Sequence, residues 1–298
     1  MMPDETQLPL VSQEKRDYSG HEWTVEENID TVKIYMAMLK LQLSKLNYSK
    51  TEYRNKLLPL LNDRKKGAAE YKFENISAVL IEHHLPYIEG YKPSYHYQSS
   101  LEDVVVSWIE RDKTFPTIVR KAAALPLKVL PPIGDLNDIL VKPPDRRPKL
   151  QSPQKVNERT AFSSIDYIGR EASNTKLGKW GEEFVLGFEE KRLSYSGHAD
   201  LAGKIEWVSS TRGDGLGYDI QSYGEDGQGL FIEVKTTNQG LYFPFLASAK
   251  EVDMSENLSD CYSVYRVFNF SKNPKLFILP GSISAMGELH PTTYEVRL

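Results

Sequence analysis

Apolar positions follow two different rhythms along the chain. From Val25 to about Leu46, Ile29, Val32, Ile34, Met36, Met38 and Leu39 recur at mixed helical spacing. Thr24 precedes Glu26 and Glu27, which reads as an N-cap followed by acids in the first turn. A second helix is expected over Thr51–Asn62, on Tyr53, Leu57, Leu58 and Leu61. A third begins near Glu70 and stops before Leu85-Pro86, because the residue preceding proline disfavours helix. Tyr87–Tyr97 reads as an ordered loop, and Leu101–Arg111 as a short helix. A strong helix is predicted over Lys176–Leu193, where Leu177, Trp180, Phe184, Val185 and Phe188 share a face. The rhythm then changes. Short apolar runs at Ile205–Val208, Tyr218–Tyr223, Leu230–Thr236, Cys261–Phe268 and Lys275–Leu279 read as strands, with a helix starting at Ala247 or Ser248. A mixed sheet covered by helices follows from that order.

Between the two regions, Pro116, Pro126, Pro131, Pro132, Pro143, Pro144, Pro148 and Pro153 discourage long helices and central strands. The expected organisation is therefore an unstructured N-terminus over 1–22, a helical domain over 23–115, a proline-rich basic linker over 116–165 and an α/β domain over 166–298. Ile133, Leu136, Ile139, Leu140 and Val141 are too apolar for a bare tether, so part of the linker is expected to pack.

The chain has 298 residues and a net charge of −4, which does not advertise nucleic-acid binding. The distribution is uneven. Residues 111–160 carry 11 Lys and Arg against 5 Asp and Glu, whereas residues 161–298 carry 13 against 19. A basic linker suits a phosphate backbone, and clustered acids suit a metal site. The lone Cys261 excludes an internal disulfide or a cysteine zinc cluster, and its apolar surroundings read as core. With no apolar leader and no run long enough to span a bilayer, a cytoplasmic protein without a membrane partner is expected. No phosphate-binding Gly-x-x-x-x-Gly-Lys-[Ser/Thr] loop occurs. Adjacent His83 and His84 point to different faces of a helix, which makes joint metal chelation awkward.

Gly213-Asp214-Gly215-Leu216-Gly217-Tyr218-Asp219-Ile220 and Leu230-Phe231-Ile232-Glu233-Val234-Lys235-Thr236-Thr237 hold the richest chemistry. Alternation puts Glu233 and Lys235 on one strand face and Ile232 and Val234 on the other. Charge on an otherwise apolar strand is costly to bury, and a divalent cation held by carboxylates relieves that cost. The bland alternative is a solvated ion pair on an exposed sheet face.

The order of Asp219 and Glu233-x-Lys235 after a helical acid resembles the PD-(D/E)xK nuclease superfamily. More closely, residues from about Leu177 to Leu298 resemble the NO VEIN C-terminal domain family. The segments that carry this are Gly178–Glu183, Gly217–Ile220, Ile232–Thr237, Glu251 and Tyr265–Val267. Tyr218 stands where the superfamily has proline. The resemblance implies an α/β, restriction-endonuclease-like mixed sheet flanked by helices, preceded by a mostly α-helical domain. It further implies Mg2+, with Mn2+ as a substitute, held by Asp219 and Glu233 with the Val234 carbonyl as a third ligand. Lys235 would orient water and stabilise developing charge. Glu182 would complete the acidic shell, and it is preferred to Glu183 because it follows Gly181 as in the family pattern.

Phe73–Leu80 and Leu85–Pro93 resemble a helical module that precedes nuclease domains in bacterial restriction-type proteins. Such a module implies DNA recognition, with Lys50, Arg54, Arg64, Lys65, Lys72 and Lys92 as phosphate contacts; a docking role is the alternative. The expected function is Mg2+-dependent DNA endonuclease activity in restriction or antiphage defence. Expected partners are DNA, a second copy of the chain and other defence-system subunits. The alternative is an inactive nuclease fold serving as a DNA-binding or interaction module.

Overall fold

The structure is a computed structural model that describes residues 21–123, 129–145 and 167–292. The expected unstructured N-terminus and much of the basic linker lie outside these residues.

The N-terminal region is helical. Its elements are α1 (Val25–Leu43), α2 (Lys50–Leu57), a 3-10 turn at Leu58–Leu60, α3 (Lys66–Glu82), α4 (Ser99–Arg111) and α5 (Phe115–Ala123). Thr24 and Glu27 form a reciprocal capping box that starts α1 where the sequence places it. Val32, Tyr35, Met36, Leu39, Phe73, Ile76, Leu101 and Phe115 meet in one apolar core. Within it the Tyr35 hydroxyl shares a hydrogen bond with Ser77 and accepts one from the Ile88 amide, 2.8 Å each, which anchors the loop after α3.

The proline-rich stretch is not uniformly extended. Pro116 occupies the first turn of α5, where its missing N–H costs nothing. Further on, Asp135 caps the short α6 (Leu136–Ile139). Leu140 pairs with Leu276 of the sheet in a parallel bridge, and the Val141 amide donates to the Leu276 carbonyl at 2.8 Å. Ile139 is buried in the α/β core. Apolar side chains thus hold residues 129–145 to the C-terminal region despite the prolines.

That region comprises α7 (Tyr167–Ala172), α8 (Thr175–Tyr195), α9 (Ala199–Ala202), β1 (Glu206–Trp207), α10 (Val208–Thr211), β2 (Ile220–Tyr223), β3 (Gly229–Thr236), α11 (Ala249–Asn257), β4 (Tyr262–Phe268), β5 (Lys275–Pro280) and α12 (Ile283–Met286). The five strands lie in sequence order. The β3–β4 pair is parallel, bridged by α11, and the other pairs are antiparallel. α8 covers one face, packing Phe184, Val185 and Phe188 on Ile232, Val234, Tyr265 and Val267. Tyr262 and Val264 pack on the other face with Val252 and Met254 of α11 and Ile283 of α12.

The helical and α/β regions share a core across the expected boundary at 165/166. Tyr167 and Phe243 are buried in the cluster formed by the N-terminal helices. The Tyr242 amide donates to the Tyr87 hydroxyl at 3.2 Å, and Asn269 donates to Glu89 at 2.7 Å.

Candidate active site

Three adjacent pieces of chain build the site. Asp219 sits just before β2, after the Gly213 and Gly217 turns, both of which have positive φ that suits glycine. Its amide donates to the Ile232 carbonyl at 2.9 Å, and its Oδ2 accepts from the Val234 amide at 2.8 Å. The carboxylate is therefore fixed against β3. Glu233 and Lys235 project from β3 on the α11 side of the sheet, and Glu233 is only 4% exposed. The Lys235 Nζ lies 2.7 Å from Glu233 Oε1 and 2.6 Å from Glu251 Oε2.

The charges around these side chains are unbalanced. Burial pushes the Asp219 carboxyl well above the usual carboxylate range, and the charges of Glu233 and Glu182 push the same way. Burial also raises Glu233, with Glu251 and Glu182 adding to it, while Lys235 opposes the rise. Burial disfavours the Lys235 ammonium, but Glu233 and Glu251 outweigh that and raise its pKa. One ammonium thus faces several carboxylates.

Glu182, one residue after the Gly181 contact with β3, accepts from the Trp207 indole N–H at 2.6 Å and from the Ser209 hydroxyl. Its charge reaches both Asp219 and Glu233. Glu183 is exposed on the other side of α8. Asp219 is therefore bonded to β3 beside Glu233 and Lys235, while Glu182 is held on α8 by Trp207 and Ser209.

The basic residues expected to contact phosphate differ in burial and in partners. Arg64 is turned inward: its guanidinium makes a buried ion pair with Glu27, 2.9 Å, and stacks on Trp23. Lys72 is 3% exposed beside the same Trp23 ring. Burial and the Arg64 charge lower its pKa to about 8, against Glu27. Arg64 and Lys72 thus pack against Glu27 and Trp23 at the edge of the helical core. Arg54 pairs with Glu70, and Lys50 donates to the Glu89 carbonyl and lies over the Tyr91 ring. Lys65 is exposed at the start of α3, and Lys92 is exposed with Asp145 at 3.7 Å. Cys261 is half-buried just before β4 rather than within the strand.

Several supporting residues carry little signal in the sequence. The Tyr262 hydroxyl donates to the Gly217 carbonyl at 3.0 Å and steadies the approach to Asp219. Arg266, level with Lys235 on the neighbouring strand, donates to the carbonyls of Phe243 and Pro244 at 3.1 and 3.2 Å. Buried Glu171 accepts from the Thr237 hydroxyl and from the Asn238 amide, 3.0 Å in the latter case. Glu251, one of the segments that carry the family resemblance, is also the last member of a Ser-x-x-Glu capping box.

Residues 181–279, about a third of the chain, match the family model described as Protein NO VEIN, C-terminal. The match takes in Glu182, Asp219, Glu233, Lys235 and Glu251 and leaves out the N-terminal helices. No curated protein matches the chain, and no solved structure does.

Proposed function

We propose that the protein is a Mg2+-dependent endonuclease that hydrolyses DNA phosphodiester bonds, serving restriction or antiphage defence. The observation that carries this reading is the juxtaposition of Asp219, fixed to β3 by the Val234 amide, with buried Glu233 and its ion pair to Lys235. Such a donor set suits a hard divalent cation. Among the described residues no group of three or more His, Cys, Asp and Glu side chains converges for a metal. A site on two carboxylates and the Val234 carbonyl leaves positions for water and substrate oxygens, which is how Mg2+ is commonly held.

When bound, the cation supplies Lewis-acid polarisation of a phosphoryl oxygen and acidifies a water ligand. The chain's own residues do the rest. The Val234 amide holds Asp219 in place. Lys235 supplies fixed positive charge where the phosphate gains negative charge. Glu182 adds negative charge from α8 and is itself oriented by Trp207 and Ser209.

The test is cleavage of single- and double-stranded DNA, modified and unmodified, with and without Mg2+. Asp219→Asn and Lys235→Ala are expected to lose about a hundredfold or more of the wild-type rate. Unchanged Mg2+-dependent cleavage in either variant would overturn the assignment.

One observation favours a second reading, a nuclease fold retained as a binding platform: Lys235 is ion-paired to both Glu233 and Glu251. Calorimetry with Mg2+ and Mn2+ on wild type and Glu233→Gln separates the two. DNA retention with neither metal affinity nor cleavage supports the platform.

A further inference from the structure

We propose that Glu251 is a positioning residue that holds the Lys235 ammonium over the site from outside the metal-binding pair. The inference rests on the proposed phosphodiester chemistry for its catalytic meaning, but the contact itself is tested separately.

Lys235 has two carboxylate partners, Glu233 at 2.7 Å and Glu251 at 2.6 Å. They are not equivalent. Glu233 is on the same strand and belongs to the donor set for a cation, so its oxygens have a competing use. Glu251 comes from α11, and its side chain is fixed by the helix start. The Ser248 amide donates to Glu251 Oε2 at 3.2 Å, and the Glu251 amide donates to the Ser248 hydroxyl at 3.2 Å. The same Oε2 receives Lys235.

The segment that delivers α11 is itself tied down. Residues 237–248 leave β3, bury Phe243 among the N-terminal helices, and are held by Arg266 at the carbonyls of Phe243 and Pro244. Arg266 is level with Lys235 on β4. Glu251 therefore reaches Lys235 from α11, on a different piece of chain from Asp219 and Glu233. A lysine held this way keeps its place when Glu233 turns to a cation.

Two substitutions separate charge from capping. Glu251→Gln retains a side chain that completes a capping box and removes only the charge. Ser248→Ala breaks the cap and keeps the charge. The first readout needs no activity: limited acylation with acetic anhydride in the presence of Mg2+, with the Lys235 adduct quantified by peptide mass spectrometry. Glu251→Gln is expected to raise the Lys235 adduct several-fold with the melting temperature held, and Ser248→Ala to lower the melting temperature with Lys235 still protected. The second readout is single-turnover cleavage. Glu251→Gln is expected to slow it about tenfold, with DNA retention and the Mg2+ midpoint unchanged.

Wild-type protection of Lys235 in Glu251→Gln overturns the proposal, as does an unchanged cleavage rate. A shifted Mg2+ midpoint also overturns it, by making Glu251 a ligand. If wild type cleaves no DNA while Glu251→Gln still unmasks Lys235, the contact stands and the nuclease reading fails.

Discussion

Gly181 of α8 lies so close to Thr236 of β3 that a methyl group at position 181 would collide with the Thr236 hydroxyl and Cβ. The Thr236 hydroxyl is buried beneath the helix and finds no hydrogen-bond partner among the described residues. This contact sets the distance of α8 from the sheet, and Glu182 is the next residue along. Gly181→Ala gains about 1 kcal/mol in helix propensity. It loses more, because a β-branched neighbour in a buried strand has few other rotamers and overpacking costs about 1–3 kcal/mol. The net expectation is a lower urea midpoint with an unchanged slope. A midpoint at or above wild type would show that α8 shifts freely.

The same helix carries a buried acid whose partners span the sheet. Glu189 is fully buried and accepts from Arg192 at 2.8 and 2.7 Å, from Ser222 at 2.6 Å and from Tyr265 at 2.9 Å. Arg192→Met leaves that carboxylate buried without its counter-charge, and about 3–5 kcal/mol of stability should be lost. The exposed Arg212–Glu206 pair gives the contrast: Arg212→Ala should leave the urea midpoint close to that of wild type. Chemical denaturation of both variants checks the difference.

Local rhythm made much of this architecture legible. β3 and β4 are apolar runs bounded by turn residues, and α8 has an unbroken apolar face, so their positions follow from short stretches of chain. The shared face of Glu233 and Lys235 follows from alternation alone. Features that depend on distant partners were not legible. Arg64 and Lys72 look like phosphate contacts until Glu27 and Trp23 are folded against them. Nothing near Tyr87 announces Tyr242, which is 155 residues away. Proline density suggested an extended linker, but proline in a first helical turn breaks nothing, and α5 forms there.

The Arg64–Glu27 pair gives the helical region a specific acid sensitivity. Burial works to raise the Glu27 pKa, but hydrogen bonds from Arg64 and from the Thr24 and Asn62 amides outweigh it, so the folded value lies below the ordinary 4.5. The sign follows. With the folded pKa depressed, the contribution to stability is complete above the unfolded value and is lost as pH falls through the folded one. Wild type should lose stability on acidification below about pH 4.5 more steeply than Glu27→Gln, which should already be weaker at pH 7. Urea midpoints at pH 7 and in the acid range test this. Parallel acid limbs for the two proteins would remove Glu27 from the account.

Phe243 makes the strongest prediction about how the two regions depend on each other. It leaves the α/β region to lie 3% exposed among the N-terminal helices, with its ring edge-on to Tyr167 at 5.5 Å. Arg266 of β4 holds the backbone at the same point, so the residue is tied to both regions. Phe243→Ala should cost about 3–5 kcal/mol. Because the contact is shared, the loss should fall on both regions. Amides of α3 and of β3 and β4 are expected to lose hydrogen-exchange protection together in this variant. Residues 166–298 produced alone would expose Tyr167 and Phe243 and should melt well below the intact chain. Independent loss of protection, confined to the sheet amides, would show instead that the helical region is an autonomous unit carried beside the site rather than part of its frame.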